Sequence, residues 1–166
     1  MVSFYRKGNR YQNYDYSTAN IYFITFCTYL KKSILSQIHD FNKMEKPKII
    51  LSELGLECDK VIQRYNDEFD IYIPHYVIMP NHIHLIVDLT DINNCKINYN
   101  ISNIVKAIKS ISRKSVSDEF LNKHGSNLWQ KSFFDRIVRN DKEYFELAKY
   151  IDENPIKWNL DEYYVK

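Results

Sequence analysis

The sequence predicts an α+β domain, because strand-type and helix-type hydrophobic patterns alternate along one chain and two strand patterns meet at a tight turn. β-branched and aromatic residues follow one another from Asn20 to Leu30, which predicts a strand. Apolar residues then recur at helical spacing over residues 49–69. Pro80-Asn81 separates strand patterns at 70–79 and 82–89, which predicts an antiparallel hairpin.

The composition is that of an ordinary folded protein, and we expect one domain spanning residues 1–166. Hydrophobic residues make up 45% and charged residues 27% of the chain. The net charge is only +2, so a nucleic-acid surface would have to come from local patches. Three separated cysteines in no CxxC spacing favour reduced thiols. No apolar run approaches membrane-spanning length, and we expect a cytoplasmic protein with no membrane partner.

The second half of the chain carries two more helix patterns and a strand. A helix is predicted over residues 102–124, with Ile104, Ile108, Ile111 and Val116 on its apolar side. A strand pattern follows over residues 128–139. Asn140 is a good N-cap with a glutamate three residues later, so the last helix should begin there. It must stop near Asn154-Pro155.

Two further residues bear on packing. Pro74 lies within the strand pattern 70–79 and has no backbone N–H, so this strand should lie at a sheet edge or contain a bulge. The tail, residues 156–166, contains Trp158, and we expect it to pack back on the domain.

The most informative stretch is Met79–Val87, MPNHIHLIV. Residues two apart in a strand point to the same face, so His82 and His84 should project together while the aliphatic residues between and after them face the core. Two adjacent imidazoles supply two ligands to one divalent ion. The alternative is a pair of histidines tolerated on a half-exposed strand, and the His-x-His pattern alone leaves both interpretations open.

Tyr150 and Asn154 provide the partner for these histidines. They are four residues apart at the end of the last helix and therefore share one face. If that face docks on the histidine strand, His82, His84 and the Asn154 carbonyl oxygen could hold one Mg²⁺ or Mn²⁺ ion. The Tyr150 phenol would then lie beside the ion, as a nucleophile that becomes covalently attached to a phosphate.

Local basic patches predict contacts with DNA phosphates. A basic N-terminal arm, residues 1–16, interleaves cations with tyrosines, and the helix over 102–124 carries a run of cations. Two arginines precede the nucleophile helix, and arginine grips phosphate with two parallel hydrogen bonds. The candidate contacts are Arg6, Arg10, Lys106, Lys109, Arg113, Arg136 and Arg139. A loosely packed arm and a solvated helix face are the alternatives.

Taken together, three motifs carry a family resemblance. MPNHIHLIV, followed by WQKSFFDRIVRN and YIDENPIKW, resembles the single-tyrosine HUH transposases of the IS200/IS605 type, with REP-associated tyrosine transposases as the most similar branch. The segment YDYSTANIYFITFCT is similar to that family's first strand. The resemblance implies a ferredoxin/RRM-like HUH endonuclease fold, with an antiparallel β-sheet and flanking helices.

The resemblance also implies roles for particular residues. His82 and His84 match the metal-binding pair, Tyr150 matches the nucleophile, and Asn154 matches the polar third ligand. The IS200 branch proper usually has glutamine at that last position, so Asn154 favours the REP-associated branch. The implied activity is cleavage of single-stranded DNA beside a hairpin, through a 5′-phosphotyrosine and a free 3′-OH. Relatives act as monomers or homodimers, and such an enzyme would work at the nucleoid.

Two other classes of protein deserve comparison. A histidine-triad nucleotide hydrolase would need a third histidine at position 86, which is Ile86. The stronger alternative is a domesticated protein that recognises repeat hairpins and no longer transposes. The chain retains every expected catalytic group, which argues against a loss of DNA cleavage activity. It does not address whether the gene still transposes.

Overall fold

A computed structural model of the chain describes residues 20–39, 47–68, 71–90 and 100–165. The predicted basic arm over residues 1–16, with Arg6 and Arg10, lies outside these ranges. Within the described part of the chain, no helix combines the length and the apolar composition needed to cross a membrane.

The described residues form an α+β fold, as predicted. The strands are β1 (Ile21–Cys27), β2 (Ser36–His39), β3 (Lys48–Leu51), β4 (Tyr72–Ile78), β5 (His82–Asp88) and β6 (Phe134–Ile137). The helices are α1 (Glu53–Glu68), α2 (Ile101–Ser115), α3 (Asp118–His124) and α4 (Asp141–Glu153). Short 3₁₀ turns cover Tyr29–Lys31 and Trp158–Leu160.

The main sheet has four antiparallel strands in the order β4-β5-β1-β6. The predicted hairpin is confirmed, because Ile78 at the end of β4 pairs with Ile83 at the start of β5. β4 is an edge strand, and its register with β5 shifts between Tyr72 and His75. Pro74 lies in that interval, so the expected edge position and bulge are both present.

Both faces of the central strands are buried, and each face packs on different helices. Ile83, Leu85 and Val87 project from β5 into the larger hydrophobic core, which α1 and α2 cover. Ile86 projects to the opposite face, where it packs in a smaller core with Leu147 of α4. The core-facing side predicted for β5 is therefore confirmed, and α4 covers the side on which the histidines lie.

A small hairpin replaces the first turn of the predicted helix 49–69. β3 pairs antiparallel with β2, with Ile49 opposite Ile38. The Ser52 hydroxyl oxygen then accepts a hydrogen bond from the Gly55 N–H at 3.1 Å, which caps α1. The predicted start of this helix is wrong, because a short aliphatic run fits a strand and a helix equally well and its partner strand decides between them.

The predicted helix 102–124 is in fact two helices, α2 and α3. Val116 has an extended backbone (φ −76°, ψ 151°), and the Ser117 hydroxyl caps α3. Glu53 of α1 accepts hydrogen bonds from the backbone N–H and the hydroxyl of Ser117, so the break is held against α1. Ile111, predicted on the apolar side, is 40% exposed, and that assignment is wrong.

The predicted strand 128–139 is regular only over β6, which pairs with β1. Upstream, Trp129 makes a single antiparallel bridge with Thr28, and the Gln130 N–H donates to the Cys27 carbonyl at 3.0 Å. Residues 128–139 therefore run antiparallel to β1 and pair with it in two places, at residues 129–130 and over β6.

The turn after β1 has an unusual backbone. Leu30 and Lys31 have φ values of 55° and 53°, in the left-handed region. For residues with a Cβ atom this conformation costs about 1–2 kcal/mol each. The turn is held by the Tyr29 N–H, which donates to the Leu128 carbonyl at 2.9 Å. Strand β1 ends at Cys27, before the predicted Leu30, and the next residue, Thr28, donates its N–H to the Asn81 carbonyl at 2.9 Å, directly before β5.

Candidate metal and nucleophile site

His82 and His84 lie side by side on β5, beneath α4. Their ring centroids are 4.4 Å apart, and the residues are 0% and 1% exposed. On the neighbouring strand, β1 places Cys27 opposite His82 and Thr25 opposite His84. The two imidazoles predicted to share a face do so, and they are excluded from bulk water.

Each imidazole has a polar neighbour at one ring nitrogen. His82 Nδ1 lies 2.9 Å from Asn81 Oδ1. His84 Nδ1 lies 2.6 Å from Thr25 Oγ1, and its ring stacks on Phe23 with centroids 5.3 Å apart. Contacts of this kind orient an imidazole so that its other nitrogen faces a common point.

Helix α4 presents Tyr150 and Asn154 to the histidine pair. The helix begins where the sequence predicts, since Asn140 Oδ1 accepts a hydrogen bond from the Glu143 N–H at 3.0 Å. It ends at Glu153, with Asn154 as the C-cap. The Tyr150 hydroxyl lies 3.3 Å from His84 Nε2, and Asn154 is 2% exposed. The predicted docking of this helix face on the histidine strand is therefore present.

The tail packs back over the same face, as expected. The 3₁₀ turn Trp158–Leu160 follows α4, and the Trp158 ring lies 5.9 Å from the His82 ring between centroids. The Tyr163 ring is closer to His82, at 4.6 Å between centroids. This turn delivers Asp161 to the site.

Asp161 is a site residue that the sequence analysis missed. Its carboxylate accepts hydrogen bonds from Asn154 Nδ2 at 2.7 Å and from the Tyr150 hydroxyl at 3.3 Å. The potential ligand atoms of His82, His84 and Asp161 all lie within 4.8 Å of one another. No periodicity or motif marks Asp161, because a non-helical tail brings it into place.

Two buried polar atoms of the site, His82 Nε2 and Asn154 Oδ1, have no hydrogen-bond partner among the described residues. Buried polar atoms are normally paired. Asn154 Nδ2 donates to Asp161, so Oδ1 is the atom of this amide that can serve as a metal ligand. Imidazole nitrogen, amide oxygen and carboxylate oxygen together suit a divalent cation such as Mg²⁺ or Mn²⁺, and the residues fit such an ion.

The electrostatics of the site keep both imidazoles neutral. Burial lowers the pKa of His82 to about 3, and the positive charge of Lys31 lowers it further, while Asn154 acts in the opposite direction. Burial also holds the pKa of His84 well below its ordinary value, and the neighbouring His82 adds to this effect. Neutral imidazoles keep the lone pairs that bind metal ions.

The Tyr150 phenol is held in its protonated form. Burial raises the pKa of Tyr150, and the negative charges of Asp161 and Glu162 raise it further. A cavity of about 30 Å³ lies beside this hydroxyl and has room for one water molecule or ion. It is lined by Phe23, Thr25, His84, Phe134, Tyr150, Glu162 and Tyr163.

Two of the predicted phosphate contacts precede α4, Arg136 within β6 and Arg139 two residues before the helix. Arg136 forms an ion pair with Glu143. Arg139 is exposed, and its backbone N–H donates to Glu143 Oε2 at 2.8 Å. Both residues therefore border the helix that carries Tyr150.

The cations of α2 are arranged differently. Lys109 donates to two backbone carbonyls within residues 130–132, at 2.8 and 3.1 Å, and burial lowers its pKa to about 8. Arg113 Nε donates to the Ser126 carbonyl at 2.8 Å. Lys106 is exposed. In this structure Lys109 and Arg113 hold the chain before β6 against α2, and they do not form an open row of cations with Lys106.

The histidine pair on a central strand, with a tyrosine helix packed across it, is the arrangement that the transposase resemblance predicts. The sequence profile of the family described as "Transposase IS200 like" matches residues 22–154, from β1 to the cap of α4. The chain belongs to this family.

Three individual proteins are similar to this chain. An uncharacterized protein of Haemophilus influenzae (strain ATCC 51907 / DSM 11121 / KW20 / Rd) is 28% identical over 184 residues, covering 97% of this chain and 94% of its own. A REP-associated tyrosine transposase bound to a REP hairpin superposes with a TM-score of 0.57 and 21% identity, covering 92% of this chain and 76% of that one. This similarity confirms the predicted fold. A putative transposase from Deinococcus radiodurans R1 has a TM-score of 0.47 and 15% identity over 87% of this chain and 95% of its own.

Proposed function

We propose that this protein cleaves and rejoins single-stranded DNA beside a hairpin, with Tyr150 as the nucleophile. The observation that carries the proposal is the Tyr150 hydroxyl, 3.3 Å from His84 Nε2. Unpaired ligand atoms of His82 and Asn154 lie in the same buried site. A tyrosine beside a cluster of metal-ligand atoms suits attack on a phosphodiester.

His82, His84 and Asn154 would hold one divalent ion, Mg²⁺ or Mn²⁺, and Asp161 offers a further oxygen ligand. When bound, the ion polarises a phosphate oxygen and offsets the charge that develops at phosphorus. The chain itself orients the imidazoles, through Thr25 at His84 and Asn81 at His82.

In the cleavage step, the Tyr150 oxygen forms a bond to phosphorus while the bond from phosphorus to the 3′ oxygen breaks. The 3′ oxygen takes a proton from solvent, which leaves a free 3′-OH and a 5′-phosphotyrosine. The phenol proton passes to solvent, and the cavity of about 30 Å³ lined by Tyr150 has room for the water molecule that takes it. The new phosphotyrosine linkage is itself a phosphodiester and conserves the energy of the bond that was broken, so rejoining needs no ATP.

The proposed substrate is hairpin-associated single-stranded DNA. The related solved transposase is bound to a REP hairpin, which supports this choice. Arg139 and Lys106 are exposed and are our first candidates for phosphate contacts. Arg136 remains a candidate and shares Glu143 as a partner with the Arg139 N–H. Arg6 and Arg10 remain candidates from the basic arm. We assign Lys109 and Arg113 a supporting role, because both bond to backbone carbonyls.

A single chain supplies the histidines, the tyrosine, the amide and the carboxylate of this site. We therefore propose that a monomer is competent for cleavage. A homodimer that exchanges α4 between chains is the alternative arrangement.

The test is a covalent-trapping assay. Purified protein is mixed with single-stranded hairpin DNA taken from beside its own gene, with Mg²⁺ or Mn²⁺, and run on a denaturing gel. We expect a shifted protein–DNA band for the wild type that is absent in Tyr150→Phe and His82→Ala. Tyr144→Phe is the matched control, since Tyr144 lies on the same helix and its ring contacts His75, 5.8 Å away between centroids.

A band that persists in Tyr150→Phe would show that another group is the nucleophile. If the wild type binds the hairpin with either metal ion present but never forms the covalent adduct, the alternative is supported: a protein that recognises hairpins and no longer cleaves them.

A further inference from the structure

Asn81 is a fully buried amide at the junction of three chain segments. It lies in the turn between β4 and β5, directly before His82, and is 0% exposed. Its side chain contacts the histidine strand, the turn after β1 and the C-terminal tail. Its backbone carbonyl accepts from the Thr28 N–H at 2.9 Å and from the Thr28 hydroxyl at 3.1 Å. These hydrogen bonds hold the Asn81 side chain and backbone in one position.

The contacts also determine which way round the amide lies. One side-chain atom is 3.2 Å from the Lys31 carbonyl oxygen and 2.8 Å from the Tyr163 carbonyl oxygen. Carbonyl oxygens only accept hydrogen bonds, so this atom must be the NH₂ nitrogen of Asn81. The other atom, which faces His82, is therefore the amide oxygen.

This orientation selects one tautomer of His82. An amide oxygen only accepts, so His82 Nδ1, 2.9 Å away, must carry the hydrogen. In a neutral imidazole the lone pair then lies on Nε2, the atom that has no partner among the described residues. His84 differs, because both of its nitrogens face hydroxyl groups, of Thr25 and Tyr150, and a hydroxyl either donates or accepts.

The NH₂ group joins His82 to two segments that border the site. One is the left-handed turn at Leu30 and Lys31, whose backbone conformation requires support from its surroundings. The other is the end of the tail, where the Tyr163 N–H in turn donates to Asp161 at 2.7 Å. A single amide therefore links the ring of His82 to the segment that delivers Asp161.

We propose that Asn81 is a positioning residue of the metal centre. It selects the Nδ1–H tautomer of His82, and its hydrogen bonds fix the position of that ring relative to the turn at Lys31 and the Asp161–Tyr163 segment. The metal part of this statement rests on the proposed function, whereas the tautomer part does not. Asparagine is suited to the task because aspartate would place a charge against two carbonyl oxygens, and glutamine would carry its amide one methylene further.

The test measures the tautomer directly. Full-length, ¹⁵N-labelled protein without metal is studied at neutral pH by long-range ¹H–¹⁵N correlation of the histidine rings. The variants are Asn81→Leu, which keeps the shape and loses both polar atoms, and Asn81→Asp, which keeps the acceptor and loses the donor. Asn66→Leu is the matched control, because Asn66 makes two hydrogen bonds to the backbone of Ile73. Mn²⁺ affinity is measured on the same proteins by electron paramagnetic resonance of the free ion.

We expect Nδ1–H at His82 in the wild type, in Asn81→Asp and in Asn66→Leu, and a mixture of tautomers in Asn81→Leu. Mn²⁺ affinity should fall by about 10- to 100-fold in Asn81→Leu and stay unchanged in Asn66→Leu. If the wild type carries the His82 hydrogen on Nε2, the proposal is overturned, and this result does not depend on whether Asn81→Leu folds. The proposal is also overturned if Asn81→Leu shows the same His82 tautomer as the wild type or the same Mn²⁺ affinity. A wild type that binds no Mn²⁺ would remove the metal from the proposed function while the tautomer result still decides the role of Asn81.

Discussion

Thr25 offers a sharp test of how the sheet supports the site. It lies on the central strand β1, is 3% exposed, and places its hydroxyl oxygen 2.6 Å from His84 Nδ1. Thr25→Val exchanges the hydroxyl for a methyl group of similar size. It opens no cavity, and both residues are favourable in strands. The change in stability therefore reports the lost hydrogen bond.

The expected magnitude follows from burial. The substitution leaves His84 Nδ1 buried without its partner, which costs about 1–3 kcal/mol of unfolding free energy. The loss of this orienting contact should also weaken Mn²⁺ binding by about 10- to 100-fold. Thr25→Ser is the control, since it loses one methyl group, worth about 1 kcal/mol, and keeps the hydroxyl.

The assay is urea unfolding followed by the fluorescence of Trp129 and Trp158, with Mn²⁺ affinity measured separately. Thr25→Val should lose both stability and affinity, whereas Thr25→Ser should lose stability alone. If Thr25→Val matches the wild type in both measurements, the Thr25–His84 contact does not support the site.

Two further predictions concern the helices and the DNA surface. Gly55→Ala should lower the free energy of unfolding by about 1–3 kcal/mol in urea, because the added Cβ would lie 2.1 Å from the Leu35 carbonyl oxygen. This clash should outweigh the helix preference of alanine over glycine, which is worth about 1 kcal/mol. A more stable variant would contradict the close approach of α1 to that backbone. Arg139→Ala should weaken hairpin DNA binding and flatten the dependence of log Kd on log salt by about one unit. Lys60→Ala, at an exposed cation on α1, should leave that slope unchanged, and an equal slope in both variants would remove Arg139 from the phosphate contacts.

The sequence predicted those features that depend on local periodicity and turn chemistry. The His82–His84 pair follows from the alternation of strand side chains, and the hairpin before it follows from Pro80-Asn81. The start of α4 follows from the Asn140 cap, and the shared face of Tyr150 and Asn154 follows from the helical repeat.

The features that sequence patterns did not predict depend on contacts between distant segments. Lys48–Leu51 becomes a strand because residues 36–39 pair with it, and neither segment identifies the other in the sequence. The helix break at Ser117 is stabilised by Glu53, which is 64 residues away along the chain. Asp161 reaches the site through an aperiodic turn, so its proximity to the histidines required the folded structure.

The edge strand β4 has a consequence for how copies of this protein meet. An exposed sheet edge is a template on which a second copy can add a strand, and edge-to-edge pairing of this kind leads to aggregation. Pro74 supplies no N–H donor in the middle of β4, and the register shift between Tyr72 and His75 bends the strand there. On the opposite edge, β6 is regular over only four residues. Among the described residues, neither edge therefore offers an incoming strand a long, flat ladder, which disfavours edge-to-edge pairing of this sheet with a second copy.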